Sequence, residues 1–196
     1  MDDLRSGGHI GYDAGSNEIM YAVRLGRLVE IMGDLTDAGA PLRVLDAGCG
    51  KGWFARAMRR FGHRIDGIDV SAHAVDHCQR LADGVAERYE LALLDAWRPP
   101  YLYDVVYSVD VLFHVMDDQL WERSIVNLAS LVRWGGLIVL AEHNADEDRT
   151  WAGYQRTRAL SRYRMLLEPR GWRYERFVPY RFRSSPVGFL VLTKVS

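Results

Sequence analysis

The sequence predicts an α/β fold, a mostly parallel seven-stranded sheet between two helical layers that closes with a C-terminal antiparallel hairpin. Three observations predict it. Short apolar runs alternate with segments of helical spacing along most of the 196 residues. Those runs are apolar throughout, as suits strands covered on both faces. The last two runs follow one another with only a loop between them, which parallel pairing does not allow.

The elements follow in order. A helix is expected over about Asn17–Met32, capped by Ser16 or Asn17, with Ile19, Ala22, Val23, Leu25, Leu28 and Val29 near helical spacing. Gly39-Ala40-Pro41 then breaks the chain. Leu42–Leu45 reads as a buried strand, Trp53–Phe61 as a helix opening just after glycines, and Arg64–Asp69 as the next strand, which completes one βαβ unit. Beyond it come a helix over Ala72–Val85, strands over Tyr89–Leu94 and Tyr103–Ser108, a helix over Gln119–Leu131, and a strand over Leu137–Glu142 after a turn at Trp134-Gly135-Gly136. A helix near Ala159–Glu168 stops before Pro169, and Trp172–Phe177 and Gly188–Val195 form the hairpin around a loop holding Ser184-Ser185-Pro186.

Composition narrows the class. With 48% hydrophobic and 26% charged residues, the chain has the make-up of one globular domain over residues 1–196. The opening Met1-Asp2-Asp3-Leu4-Arg5 lacks the basic-then-apolar pattern of a secretory signal, and no apolar run approaches the ~20 residues of a membrane span. Two cysteines, Cys49 and Cys78, make neither a disulfide framework nor a zinc pattern, so a cytoplasmic protein is expected. The net charge of −1 hides an asymmetry. Residues 1–148 hold 14 Arg and Lys against 24 acids, while residues 149–183 hold ten Arg against two acids.

The strongest signal is Val44-Leu45-Asp46-Ala47-Gly48-Cys49-Gly50-Lys51-Gly52, an apolar strand entering a loop with glycine at every second position and then a helix. Such glycines allow positive φ and let a ligand lie against the main chain. Asp69, at the end of the second strand, is placed to accept hydrogen bonds from both hydroxyls of a ribose. That spacing also admits a dinucleotide enzyme. Two features favour a different ligand. The glycines follow G-x-G-x-G rather than the G-x-G-x-x-G that sets a helix N-terminus against a pyrophosphate, and Asp46 stands before them. A carboxylate there repels pyrophosphate and attracts an ammonium or sulfonium group.

On these residues the sequence resembles the class I S-adenosylmethionine-dependent methyltransferases over roughly Leu42–Lys194, hairpin included. The resemblance implies a Rossmann-like three-layer αβα sandwich, with residues 1–40 as an N-terminal cap or lid helix and 42–196 as the catalytic core. It implies S-adenosyl-L-methionine as cofactor and S-adenosyl-L-homocysteine as product. Asp46, Gly48 and Gly50 would meet the methionine part, Asp69 the ribose and Val70 the adenine. Asp95 matches the acid that takes the adenine amino group, with the Ala96 backbone beside it, and Ser108 matches the strand tip facing the methionine moiety. Asp69 as a helix cap and Asp95 as a turn residue are the plainer readings.

Methyl transfer is an in-line displacement that needs alignment above all, with a base useful for a hydroxyl acceptor. His114, His143 and Asp110, on the loops after strands four and five, are the catalytic candidates. Packing near the cofactor is the plainer role for His114, and capping a turn the plainer role for Asp110. Tyr12 is a lid candidate. The late basic segment interleaves Arg with aromatics, and Trp151, Tyr154, Arg156 and Arg181 are expected to line an acceptor pocket suited to an anion. The plainer reading makes Arg156, Arg158, Arg162 and Arg164 a solvated helix face.

The favoured function is therefore methyl transfer to O or N of a small-molecule acceptor, anionic and of specialised metabolism, by a monomer or homodimer. The alternative is an RNA or protein methyltransferase that docks through the Arg- and aromatic-rich region. Nucleic acid is disfavoured because strand four ends in Ser108-Val109-Asp110-Val111, not the Asn-Pro-Pro-Tyr pattern of base-amino methylation, and because the net charge is not that of a basic binder. A binding module without catalysis is a third reading, opposed by the intact loop and acids. No metal is expected, since Asp117 and Asp118 read as a helix start.

Overall fold

The structure, a computed structural model, describes residues 11–33, 35, 40–82, 87–183 and 185–195. Helix α1 (Ala14–Gly33) comes first, followed by β1 (Arg43–Ala47), α2 (Trp53–Arg60), β2 (Arg64–Asp69), α3 (Ala72–Leu81), β3 (Glu87–Leu91) and β4 (Tyr103–Ser108). Then come α4 (Asp118–Ser130), β5 (Val132–His143), a two-stranded ribbon of β6 (Arg149–Trp151) and β7 (Gln155–Thr157), α5 (Leu160–Leu167), β8 (Trp172–Pro179) and β9 (Val187–Lys194). The main sheet has the order β3-β2-β1-β4-β5-β9-β8. Strands β1 to β5 run parallel, and β9 is antiparallel to both β5 and β8. Among the described residues no helix is long and apolar enough to cross a membrane.

Strand alternation explains the three layers. Val44, Val105, Val139 and Val191 pack on one face with Met20, Leu28 and Ile31 of α1, Phe54 and Met58 of α2, and Val75 of α3. Their neighbours Leu45, Val106, Ile138, Leu140 and Leu190 pack on the other face with Trp121, Ile125 and Leu128 of α4 and Tyr163 and Leu167 of α5. Because both faces are covered, the strands carry apolar residues at successive positions. The strand order reverses between β1 and β4, so their C-terminal ends flank the crevice where open α/β sheets bind ligands.

Several elements differ from the sequence expectation. Helix α1 starts three residues early, because the Asp13 carboxylate rather than Ser16 or Asn17 caps it, accepting from the Ser16 amide at 2.7 Å. Trp134-Gly135-Gly136 is not a turn before β5 but part of it. A Cβ at Gly136 would lie 2.6 Å from both the Asp104 carbonyl oxygen and Val132 Cγ1, so the glycine answers a close strand contact. Strand three spans Glu87–Leu91 and leaves Leu94 in the following loop. The end of the expected helix over Ala72–Val85, at residues 83–85, lies outside the described residues, as do Ser184 and residues 1–10. The ribbon has no counterpart in the sequence reading.

Candidate active site

The site grows from the β1–α2 loop. Gly48, Gly50 and Gly52 have φ of 86°, 51° and 72°, the left-handed region that side chains rarely adopt. The Gly48 and Cys49 amides donate to the Ile68 carbonyl at 2.8 and 2.9 Å, tying the loop to the end of β2. Asp69 holds it from the next position. Its Oδ2 accepts from the Gly50 amide at 2.8 Å and its Oδ1 from the Ser71 amide at 2.9 Å, so one carboxylate joins the loop to the start of α3. A Cβ at Gly50 would meet nothing within 4 Å, which shows that this face of the loop is open. It opens on a cleft of about 390 Å³ that Asp46, Gly48, Gly50, Asp69, Trp53 and Asp110 help to line.

Asp46 sits at the floor of this cleft, 2% exposed, and its Oδ2 has no hydrogen-bond partner. Burial pushes its carboxyl up to about 7; the nearby Tyr107 hydroxyl opposes this in part, and the Asp69 charge adds to it. A buried acid with a vacant acceptor atom is stabilised by a cationic group placed beside it.

The second wall comes from the loop after β4. Asp110 has a φ of 59°, lines the cleft and forms an ion pair with Arg24 of α1. His143, the last residue of β5, lies half-buried with its ring 6.4 Å from Trp151 at an interplanar angle of 20°. Burial holds its imidazole below the usual histidine range and the Asp110 carboxylate opposes that. His114 is exposed in a short 3₁₀ turn. Its ring lies 6.3 Å from that of Tyr154 at 12°, with Nδ1 3.3 Å from the Tyr154 carbonyl oxygen. The ribbon therefore stands over both histidines.

Four expected contacts fall elsewhere. Asp95 is turned to Arg123 of α4 at 3.3 Å and borders a separate shallow depression with Arg98 and Asn127, drawn there by the guanidinium. The Ala96 amide closes a turn on the Leu93 carbonyl at 3.1 Å. The Ser108 hydroxyl is buried and donates to the Ala47 carbonyl at 2.7 Å, stitching β4 to β1 rather than facing the cleft. Arg156 pairs with Asp118 at 3.0 Å and Asp148 at 3.6 Å. Arg158 and Arg162 join the same network, which also takes in Glu122, so these arginines are matched by acids within the fold. That removes the support they gave to an anionic acceptor. Val70 is 66% exposed at the end of β2 and is not part of the cleft lining. Tyr12 packs edge-on against Phe182 at 5.8 Å under the Arg183 guanidinium, and Arg181 is exposed with a φ of 55°.

Sequence reasoning missed Arg24 and Glu142 and placed Arg158 on a solvated helix face, which its complete burial overturns. Arg24 is a cation within the apolar stripe Met20, Arg24, Leu28 of α1, and that intrusion was a legible signal. Arg158, unexposed, donates to the Val115 carbonyl at 2.6 Å and to Asp118 Oδ1 at 3.0 and 3.1 Å. Glu142 ends the apolar run of β5, 1% exposed, with neither carboxylate oxygen hydrogen-bonded. Burial pushes it up to about 8, against the Tyr163 hydroxyl and the Arg158 charge. Since its ordinary value is 4.5, the folded state holds a proton that the unfolded chain releases. The stability Glu142 contributes is then complete below about pH 4.5 and lost as the pH rises through about 8. Urea unfolding of Glu142→Gln at pH 5 and pH 8 should show the variant gaining on the parent by at least about 1 kcal/mol between the two. A difference independent of pH would contradict the buried-acid assignment.

A family model described as a methyltransferase domain matches residues 21–181, about four fifths of the chain. The chain belongs to this family, the class I methyltransferases. Among curated relatives the methyltransferase domain is 35% identical over 141 residues to a ubiquinone biosynthesis O-methyltransferase of Cupriavidus pinatubonensis, covering 69% of this chain and 54% of that one. It is 32% identical over 146 residues to the protein of the same description from Methylocella silvestris, covering 71% and 54%. The domain thus spans about half the length of the curated relatives it matches. Of solved structures, magnesium protoporphyrin IX methyltransferase of Synechocystis PCC 6803 with bound S-adenosylhomocysteine superposes with a TM-score of 0.76 at 20% identity, over 97% of this chain and 91% of that one. N-methyltransferase NodS of Bradyrhizobium japonicum, also with S-adenosylhomocysteine, gives 0.72 at 16%, over 90% and 88%. The fold expected from the sequence, seven strands with a closing antiparallel pair, is the fold these proteins share.

Proposed function

We propose that this domain transfers a methyl group from S-adenosylmethionine to an oxygen of a small-molecule acceptor. The observation that carries the reading is the pairing of a glycine loop open on a cleft with a buried Asp46 whose Oδ2 has no partner. That arrangement fits a ligand that is cationic at one end and lies along the main chain. Oxygen rather than nitrogen is favoured because the curated relatives are described as O-methyltransferases. We read the chain as one domain, with α1 as part of a cap over the core.

When bound, the cofactor supplies a methyl group activated by a sulfonium. Asp46 would take the positive end and in doing so return to the ionised form. Gly48 and Gly50 would let the ligand approach the main chain. Asp69, whose two oxygens each accept one amide, retains lone pairs for the ribose hydroxyls, and Val70 stands beside it with an exposed apolar face for the adenine. On the acceptor side, His143 is held neutral at pH 7 by burial and so is ready to take the hydroxyl proton, with Asp110 stabilising the imidazolium that results. His114, Trp151 and Tyr154 would wall the acceptor, and Tyr12 and Arg181 would stand at its entrance. Water exclusion would fall to the ribbon and α1.

Of the late segment's aromatics, Trp151 and Tyr154 are exposed on the ribbon, while others are withheld from a nucleic-acid platform. Tyr163, Trp172 and Tyr180 are at most 4% exposed and belong to the core. Incubating the protein with methyl-labelled S-adenosylmethionine and a fractionated cell extract should therefore place label in small molecules. The same reaction with Asp69→Ala should lose at least about 90% of the label while the variant stays folded by circular dichroism. Label confined to RNA or protein would contradict the reading.

A further inference from the structure

We propose that Arg24 is a positioning residue, which holds the Asp110 carboxylate at the wall of the cleft and presents His143 with a compensated carboxylate instead of a bare one. This rests on the reading above only for its kinetic consequence.

Arg24 lies in the middle of α1 and is 5% exposed, a position where a lone cation is costly. Its Nη1 reaches Asp110, 86 residues away. The guanidinium lies 5.0 Å from the centre of the Tyr180 ring and 5.8 Å from that of Tyr21, so aromatic faces restrict it on both sides. Tyr180 is in turn packed edge-on against Phe189 of β9 at 5.0 Å. Three separate segments thus meet at one ion pair. Asp110 needs such an anchor, since a non-glycine residue at φ 59° is strained by about 1–3 kcal/mol unless its surroundings hold it.

The pair also sets the local field. The Asp110 charge acts on His143, Glu142, Tyr21 and Tyr180 together. Around His143 the relevant groups are Asp110 from the loop after β4, the adjoining Glu142 of β5 with Tyr163 and Arg158 beyond it, Trp151 from the ribbon, and Tyr180 from the segment after β8. Glu142 is protonated and both tyrosines are neutral near pH 7. Asp110 is therefore the anion whose charge reaches the imidazole, and Arg24 is the cation paired directly with it.

The test follows the His143 imidazole through its ring-proton NMR signal as a function of pH, assigned by its loss in His143→Gln. In Arg24→Met the Asp110 charge is unopposed, and the midpoint should rise by about half a pH unit. It should fall below the parent value in Asp110→Asn, return near the parent in the double variant, and stay near it in Arg24→Lys. The acid limb of turnover should move with it. An unmoved midpoint in Arg24→Met, or a midpoint in Asp110→Asn at or above the parent value, overturns the proposal. Should Arg24→Met fail to fold, Asp110→Asn decides alone, since an unmoved midpoint there also overturns it. Full turnover in His143→Gln would remove His143 as the base and leave the titration result standing, which separates the two claims.

Discussion

Gly48→Ala is expected to weaken S-adenosylhomocysteine binding by at least about tenfold, which corresponds to about 1.4 kcal/mol. Two independent effects act at this position. The residue has a φ of 86°, where an L side chain costs about 1–2 kcal/mol. The added Cβ would also stand 2.3 Å from Val111 Cγ2 and 2.9 Å from Cγ1, distances that no relaxed contact shows. Either the glycine loop retreats or the loop carrying Asp110 and Val111 moves away, and both walls of the cleft belong to these loops. The companion variant Val111→Ala should recover part of the lost affinity in the Gly48→Ala background, because it removes both clashing methyls and leaves the backbone strain and a tight 3.1 Å contact with the remaining Cβ. Isothermal titration of the four proteins checks this, and strictly additive losses would show that the two loops do not meet as described.

Arg158→Ala should destabilise the fold by about 2–3 kcal/mol. The side chain is unexposed and its guanidinium stacks 4.7 Å from the Trp121 ring centre. Its Nε and Nη2 both bind Asp118, and Nη2 also bonds the Val115 carbonyl, so truncation takes one of three arginines from Asp118 and leaves the Val115 carbonyl without this donor. Arg158 follows β7 directly, and its partners span the segment between His114 and α4. Its loss should also loosen the ribbon from that segment and speed proteolysis near residues 149–157. Arg158→Lys keeps the charge but not the planar fork, and an intermediate loss is expected. Urea unfolding measures the stability, and a cost below about 1 kcal/mol would contradict the anchoring role.

What the sequence made legible was what local pattern controls. Strands β2 and β4 span Arg64–Asp69 and Tyr103–Ser108, the bounds read from the sequence. The glycine loop and Asp69 were readable because their contacts lie within the βαβ unit, with Gly50 and Asp69 19 residues apart. Contacts set by distant partners were not readable. Asp95 found Arg123, 28 residues on, and Ser108 found the Ala47 carbonyl, 61 residues back. Arg156 was read as a ligand for an anion, yet Asp118 and Asp148 already neutralise it. Gly135 and Gly136 looked like punctuation because a sequence does not show that Asp104 and Val132 leave no room for a side chain. The ribbon escaped because three-residue strands carry too few positions for an alternation to register.

The central claim is that the cleft at the ends of β1 and β4 holds S-adenosylmethionine, and titration calorimetry of the purified protein with S-adenosylhomocysteine tests it most directly. The account predicts saturable binding at one site per chain, weakened at least about tenfold by Asp69→Ala and by Asp46→Asn. No binding by the parent protein, or binding indifferent to both substitutions, would contradict it.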